Sequence, residues 1–260
     1  MAESFPAGQR TFAGFGGVNA TNDDHAKNIF KEPSSRGDGL GVIEHLLQRP
    51  LPDAPSPLPA LQPVNIRISY PSLGHKAIDA DIRQWATGIA DAFERYFDSK
   101  LLVFMPNSDN TEEETPPAVE LTASYSISRP SAHAVSITFE IWNYTGGEHG
   151  NMDIVTLNYS LLTGQRLNLV DIFELPDEAV QLMSDWSRKK FTCRFGERQI
   201  LMDGTAPLVE NFSSLTLTSG GMRIHFQPCQ IINCDMGAQK VDIPLDALSQ
   251  ARPLLCLWQK

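Results

Sequence analysis

The sequence predicts an α+β fold, in which two main helices pack on a largely antiparallel sheet and an irregular arm rich in proline and glycine comes first. Three observations lead to this prediction. Many segments alternate apolar and polar residues with period two, two segments carry a helical apolar stripe, and strands do not alternate regularly with helices as they do in βαβ units.

Residues 1–62 form the predicted arm. Seven of the 18 glycines precede Val42, and six of the 18 prolines lie between Pro50 and Pro63. Proline lacks a backbone donor and restricts φ, so this composition is typical of an extended, semi-rigid tether or linker. Two alternatives stay open at this point: residues 41–48 can form a short helix, and the arm can lie ordered on the main domain.

Residues 63–145 form the first half of the folded domain in this prediction. Val64, Ile66 and Ile68 alternate with polar residues and predict a half-buried strand. A long helix follows, whose apolar positions recur at steps of three and four, and then come a polar loop and two strands over residues 120–128 and 134–143. The stripe consists of Ile78, Ile82, Trp85, Ile89, Phe93 and Phe97.

Residues 146–260 form the second half. A strand is predicted over residues 154–161, and Pro176 followed by two acidic residues marks the start of the second main helix. Alternating residues on both sides of the Ser219-Gly220-Gly221 turn predict a hairpin. A short strand at residues 240–243 and a short helix at residues 246–250 complete the chain.

Composition excludes several classes of protein. The 260 residues carry 21 basic and 31 acidic side chains, a formal net charge of −10, whereas nucleic-acid binding requires clusters of Lys and Arg. No uncharged apolar run reaches the roughly 18 residues of a membrane span. The first ten residues lack the apolar stretch of a signal peptide, which leaves a cytoplasmic location or an export signal outside this sequence.

Motifs for catalysis, metals and cofactors are missing. The chain contains no GxSxG, no HExxH and no P-loop. His133 and His149 have carboxylates nearby, at Glu148 and Asp153, but the spacing matches no recognised metal site. We therefore expect no catalytic residues, no metal and no cofactor.

The loop that follows the strand at 134–143 is the clearest candidate for binding. Its glycines allow positive φ and close approach of the backbone, so the loop has a tightly defined shape. His149 can present a binding surface there, or it can simply stabilise the turn, or it can act with Glu148 or Asp153 in a hydrolase. The candidate partner-binding residues in this loop are Tyr144, Gly146, Gly147, Glu148 and His149.

Cysteine spacing leaves two interpretations. Cys229 and Cys234 are close enough in sequence to form a disulfide if the loop between them bends back. The alternative is that these two and Cys193 and Cys256 are all reduced, buried thiols that pack as small apolar side chains.

A series of short motifs in this order resembles the RsiV-like family of extracytoplasmic domains, which includes the anti-sigma factor RsiV and the non-catalytic front domain of a peptidoglycan deacetylase. The resemblance covers about residues 64–248. Its motifs are Tyr70-Pro71, the GGxHG-type loop at residues 146–150, the segment LNLVDIF at residues 167–173, the segment GMRIHFQP at residues 221–228, and VDIP at residues 241–244.

The resemblance implies an exported α+β domain that binds a partner and is not an enzyme, and it adds Pro228 to the candidate binding residues. In RsiV the partner is lysozyme. We therefore expect a non-catalytic binding module of a bacterial envelope protein, whose partner is a cationic lysozyme-like muramidase or cell-wall material. The alternatives are an envelope hydrolase acting on peptidoglycan and a structural component of the envelope.

Overall fold

The computed structural model describes residues 41–49, 64–101, 119–146 and 149–259. Eight strands and three α-helices lie in these ranges, together with several short 3-10 helices. The elements are β1 (Ile43–Arg49), β2 (Val64–Ser72), α1 (Lys76–Leu101), β3 (Val119–Ser128), β4 (Ala134–Tyr144), β5 (Asn151–Ser160), α2 (Leu169–Ile172), α3 (Pro176–Phe195), β6 (Leu215–Thr218), β7 (Gly221–Phe226) and β8 (Gln239–Pro244).

The first core lies between a five-stranded sheet and α1. The sheet has the order β1-β2-β3-β4-β5, and every pair in it is antiparallel except β2–β3. Alternate residues of β3 and β4, including Leu121, Ile137 and Phe139, point to α1, whose Ile78 and Ile82 are fully buried against them. Burial of these apolar side chains is the main stabilising contribution to this half.

The second core lies between a three-stranded sheet and α3. The sheet has the order β6-β7-β8, and both pairs are antiparallel. Phe191 of α3 packs edge to face on Phe226 of β7, at 5.3 Å between ring centroids. Ala179 and Met183 of α3 are also fully buried there.

The two sheets meet through polar side chains. On the face of β4 that points away from α1, Ser136 accepts a hydrogen bond from the backbone of Leu217 at 2.9 Å and donates one to Asn158 at 2.5 Å. Beside them the hydroxyls of Thr138 and Thr216 are 2.7 Å apart. Because the buried polar atoms at this junction bond one another, the sheets can dock without an apolar interface.

The edge of β5 is capped by one amide side chain. Gln227, just beyond β7, accepts from the backbone N–H of Ile154 at 2.8 Å and donates to the carbonyl of the same residue at 2.7 Å. Ser214 donates to that carbonyl as well, at 2.8 Å. The amide thus takes the place of a neighbouring strand at this point of the edge.

The predicted fold class is confirmed, with two refinements. The strands form two sheets, and one pair of neighbours is parallel. The turn between Tyr144 and Asn151, where the sequence places the boundary between two halves, lies inside the β4–β5 hairpin, so the strands on both sides of it share one sheet.

The expected short helix at residues 41–48 is wrong. This segment is β1, and it pairs along its length with β2. Its Arg49 is held by two carboxylates of α1, at 2.7 Å from Asp91 and 2.6 Å from Glu94. Pairing with β2 and these ion pairs outweigh a helical preference that is weak in so short a segment. The other residues of the predicted arm lie outside the described residues.

The cysteines separate into two kinds. Cys229 and Cys234 form a disulfide, which closes the loop after β7. Cys193 and Cys256 are exposed thiols, so the alternative of four buried thiols is wrong. Among the helices that the structure describes, none combines the length and the apolar character that crossing a bilayer requires.

Candidate functional site

The candidate site is the part of the five-stranded sheet that lies beyond the junction with β6, on the face that points away from α1. Register places Tyr144 opposite Glu120, Trp142 opposite Thr122, and Met152 on the other side of Trp142. Glu140 and Met152 are exposed, and Trp142 and Tyr144 are half-buried. We call this surface the open face, and its central members are Glu120, Thr122, Glu140, Trp142, Tyr144 and Met152.

Two aromatic rings dominate the open face. The rings of Trp142 and Tyr144 are nearly parallel, with 9° between their planes and 6.2 Å between centroids. They alternate with buried Ile141 and Asn143, and residues two apart on a strand share one face. Gly150 lies against the indole: a Cβ at this position would be 2.5 Å from Trp142 Nε1. Glycine is therefore required here for the loop to rest on Trp142.

The charge of the open face is mainly negative. Glu120 and Glu140 flank the two rings, while Arg67 of β2 contributes an exposed cation on the same face. An acidic rim around aromatic residues suits a cationic partner, since charges steer association and aromatic rings supply contact area.

The glycine-rich loop lies at one end of the open face. Tyr144 ends β4, and Gly146 adopts φ +85°, in the region that favours glycine. His149 is half-buried on the far side of the turn. Gly147 and Glu148 lie outside the described residues. The structure therefore places Tyr144 beside Trp142, with Gly146 and His149 in the turn that follows.

Asp153 belongs to a different surface. Its neighbour Ile154 is paired with Glu140, so the Asp153 side chain points to the α1 face of β5. There it accepts a long hydrogen bond, 3.4 Å, from Asn143. Burial raises the pKa of this carboxyl above its usual value. The carboxylate therefore does not lie on the open face with Trp142 and Tyr144.

The remaining candidate ligands are engaged or separate. Nδ1 of His133 lies 3.0 Å from the backbone carbonyl of Cys256. His133 precedes β4 and His149 follows it, so the two histidines are at opposite ends of this strand. Within the described ranges, no three His, Cys, Asp or Glu side chains are grouped so that they could hold a metal ion. The residues of the open face thus form a surface that a partner molecule can contact.

Pro228 is placed beside the edge of β5, next to the Gln227 amide that holds Ile154. Ile154 is three residues beyond Asn151, the first residue of β5, so the Gln227 amide meets β5 about 10 Å along the strand from the glycine-rich loop. Cys229 follows with φ +66°, and its disulfide to Cys234 shapes the loop. Pro228 thus borders β5 but does not join the cluster of Trp142 and Tyr144.

Sequence reasoning missed five members of the open face: Glu120, Thr122, Glu140, Trp142 and Met152. A signal for Trp142 was present, because period two places it on the face opposite to Ile137, Phe139 and Ile141. That signal cannot say which part of the face a second sheet covers. The coverage depends on contacts between β4, β5 and β6, which are distant in sequence.

No protein-family model matches the chain. The peptidoglycan-N-acetylmuramic acid deacetylase PdaC of Bacillus subtilis strain 168 is 25% identical to it over 182 residues, which make up 69% of this chain and 37% of the deacetylase. The chain thus spans little more than a third of the length of this curated relative. The expected likeness to a peptidoglycan deacetylase is confirmed, whereas the likeness to RsiV stays a prediction.

Two solved structures share the fold. A DUF3298 family protein from Pseudomonas aeruginosa PAO1 has a TM-score of 0.58 and 14% sequence identity, over 86% of this chain and 98% of its own. A DUF3298 family member from Bacteroides fragilis NCTC 9343 has a TM-score of 0.57 and 14% identity, over 82% and 93% of the two chains. At these identities the comparison establishes the fold.

Proposed function

We propose that the chain is a non-catalytic binding module of a bacterial envelope protein, and that its open face binds a cationic, lysozyme-like muramidase. The observation that carries this proposal is the pair of parallel rings of Trp142 and Tyr144 beside Glu120 and Glu140. Trp and Tyr are the residues that most often dominate binding energy at protein interfaces. The net charge of −10 speeds encounter with a cationic protein.

Two further observations support an extracytoplasmic location. The chain is similar to a peptidoglycan deacetylase, an enzyme whose substrate lies in the cell wall. The Cys229–Cys234 disulfide is of the kind that persists in oxidising compartments and is rare in the cytosol.

The placement of Asp153 counts against a hydrolase that uses this carboxylate on the open face. An acid–base pair must converge on one reacting group, and Asp153 points to the α1 face, away from the side that carries Trp142. The hydrolase alternative is tested by incubating the parent and His149→Ala with purified peptidoglycan and analysing the soluble fragments by mass spectrometry. We expect no fragments from either protein, and fragments that disappear with His149→Ala would establish the hydrolase.

Titration with hen egg-white lysozyme, followed by surface plasmon resonance, tests the binding proposal. We expect Trp142→Ala to weaken binding by about 30-fold and Tyr144→Ala by about tenfold, since central aromatic residues contribute most. Leu162→Ala is the matched control, because this apolar residue is 68% exposed in the turn after β5. Failure of the parent to bind at micromolar lysozyme, or equal losses for Trp142→Ala and Leu162→Ala, would exclude the proposed surface.

Charge is tested separately. Glu120→Gln combined with Glu140→Gln should slow association by several-fold and leave dissociation nearly unchanged, because charges at the rim act mainly on encounter. Glu178→Gln combined with Glu197→Gln, two exposed positions on the α3 side, serves as the charge-matched control. Cell-wall material as the partner predicts instead that the parent sediments with purified sacculi and ignores lysozyme.

A further inference from the structure

A basic cleft lies between α3 and the outer edge of β8, away from the open face. Its volume is about 280 Å³. It is lined by Lys190, Phe191, Arg194, Lys240, Val241 and Asp242. Lys190 and Arg194 are one helical turn apart on α3, so these two cations converge on one space. Lys240 and Asp242 line the cleft at the edge of β8, but their side chains point to the other face of the sheet, because Val241 between them is buried in the core with α3.

These cations are not neutralised by the carboxylate beside them. Asp242 already receives two hydrogen bonds from Arg223, at 2.7 and 3.0 Å, and this guanidinium lowers the pKa of the Asp242 carboxyl. Within the described part of the chain, Lys190, Arg194 and Lys240 form no ion pair. The cleft therefore has an excess of positive charge in a protein whose net charge is −10.

Aromatic rings hold both of these cations in place. The Lys190 ammonium lies 5.1 Å from the centre of the Trp186 ring, and the Arg194 guanidinium lies 4.7 Å from the centre of the Phe195 ring. Cation–π contacts orient a charge without cancelling it, so both groups remain able to bind an anion.

The edge of β8 adds backbone donors. The N–H of His225 donates to Ser214 at 2.8 Å, so this residue of β7 directs its backbone groups to the β6 side. Lys240 pairs with His225 in the β7–β8 ladder, so the backbone N–H and carbonyl of Lys240 point away from β7. Asp242 is two residues further along β8, and its backbone groups point in the same direction. Trp186 Nε1 donates to the Asp242 carbonyl at 3.1 Å, which agrees with this geometry.

We propose that this cleft binds a phosphate group. Two converging cations and two backbone N–H groups present more donors than the two oxygens of a carboxylate can use, whereas a phosphate offers three or four oxygens and more charge. In a bacterial envelope the same group occurs in phosphodiester polymers and in lipid headgroups. The site uses α3 and β8 and shares no residue with the open face, so it stands or falls independently of muramidase binding.

NMR titration of the ¹⁵N-labelled chain with inorganic phosphate at low ionic strength tests the site. We expect saturable shifts of the amide signals of Lys240 and Asp242. Lys190→Gln and Arg194→Gln should each weaken binding by about tenfold, the effect of losing a charge-assisted hydrogen bond. Both side chains are exposed, so the variants should fold.

Lys189→Gln is the matched control, because Lys189 is exposed next to Lys190 on α3 and does not line the cleft. Shifts that do not saturate, or equal weakening by Lys189→Gln and Lys190→Gln, would overturn the proposal. Parallel titrations with poly(glycerol phosphate) and with phosphatidylglycerol vesicles distinguish a phosphodiester polymer from a lipid headgroup as the source of the phosphate. The source is the one whose binding is weakened by Arg194→Gln as strongly as the binding of inorganic phosphate is.

Discussion

Gln227 joins the two sheets through a single amide group. A glutamine amide has one acceptor and two donor hydrogens, and here it bonds both backbone groups of Ile154. The backbone N–H of Gln227 donates to the side-chain oxygen of Gln230 at 3.0 Å, and this bond orients Gln227. One side chain thus satisfies the edge of β5 where no strand pairs with it.

Gln227→Ala should lower the free energy of unfolding by about 2 kcal/mol, because the Ile154 N–H is left buried without an acceptor. The carbonyl keeps its bond from Ser214, which limits the loss. Urea denaturation of the variant and of Gln250→Ala, an exposed glutamine, measures the difference. Equal stability of the two variants would contradict the role assigned to Gln227.

The loop after β7 connects the three-stranded sheet to the segment around Gly204 and Asn211. Gln230, inside the disulfide loop, donates to the carbonyls of Gly204 and Asn211 at 3.2 and 3.1 Å. The backbone of Gln230 passes so close to Gly204 that no Cβ could be accommodated there. The disulfide therefore restrains a loop on which the segment around Gly204 depends.

Removing the disulfide with Cys229→Ser and Cys234→Ser should cost about 2 kcal/mol, the entropy expected for closing so short a loop. The cysteines are five positions apart. Thermal or denaturant unfolding of the parent, with and without reductant, gives the comparison. Cys193→Ser, which removes an exposed thiol, should leave stability unchanged. A double variant as stable as the oxidised parent would refute this prediction.

The whole molecule is two apolar cores joined by a polar junction. His225 lies in this junction, with Nε2 2.9 Å from the Thr216 hydroxyl, which in turn contacts Thr138. The pKa of His225 is lowered to about 4, mainly by burial and further by the charges of Arg223 and Lys240, against the opposing effect of Asp242. The histidine is thus kept neutral where the sheets meet.

Acid should loosen this junction. The unfolded chain protonates His225 near its ordinary pKa of about 6.5, whereas the folded chain does so only near pH 4, so unfolding takes up a proton between these values. Stability should therefore fall as the pH drops from 6.5 to 4, by about 3 kcal/mol from this residue. Denaturant unfolding at several pH values measures the slope. His225→Gln should remove the contribution of His225 to the dependence of stability on pH. A variant whose stability depends on pH as the parent's does would contradict this prediction.

Local sequence patterns determined the elements and the side of each strand that is apolar. Period two in residues 134–143 and the stripe from Ile78 to Phe97 are visible without coordinates, because the geometry of a strand or helix repeats over neighbouring residues. The positions of the β6–β7 hairpin and of α3 follow in the same way. The glycine-rich turn could likewise be located, since glycine tolerates the φ that Gly146 adopts.

Only the tertiary structure decided how these parts meet. Residues 41–48 form too short a segment for the apolar pattern to choose between helix and strand, and pairing with β2 made the choice. The separation into two sheets, the polar junction and the cleft between α3 and β8 all depend on contacts between residues far apart in the chain. A local pattern records which side of an element avoids water, but the element that covers that side is chosen by packing of the whole chain.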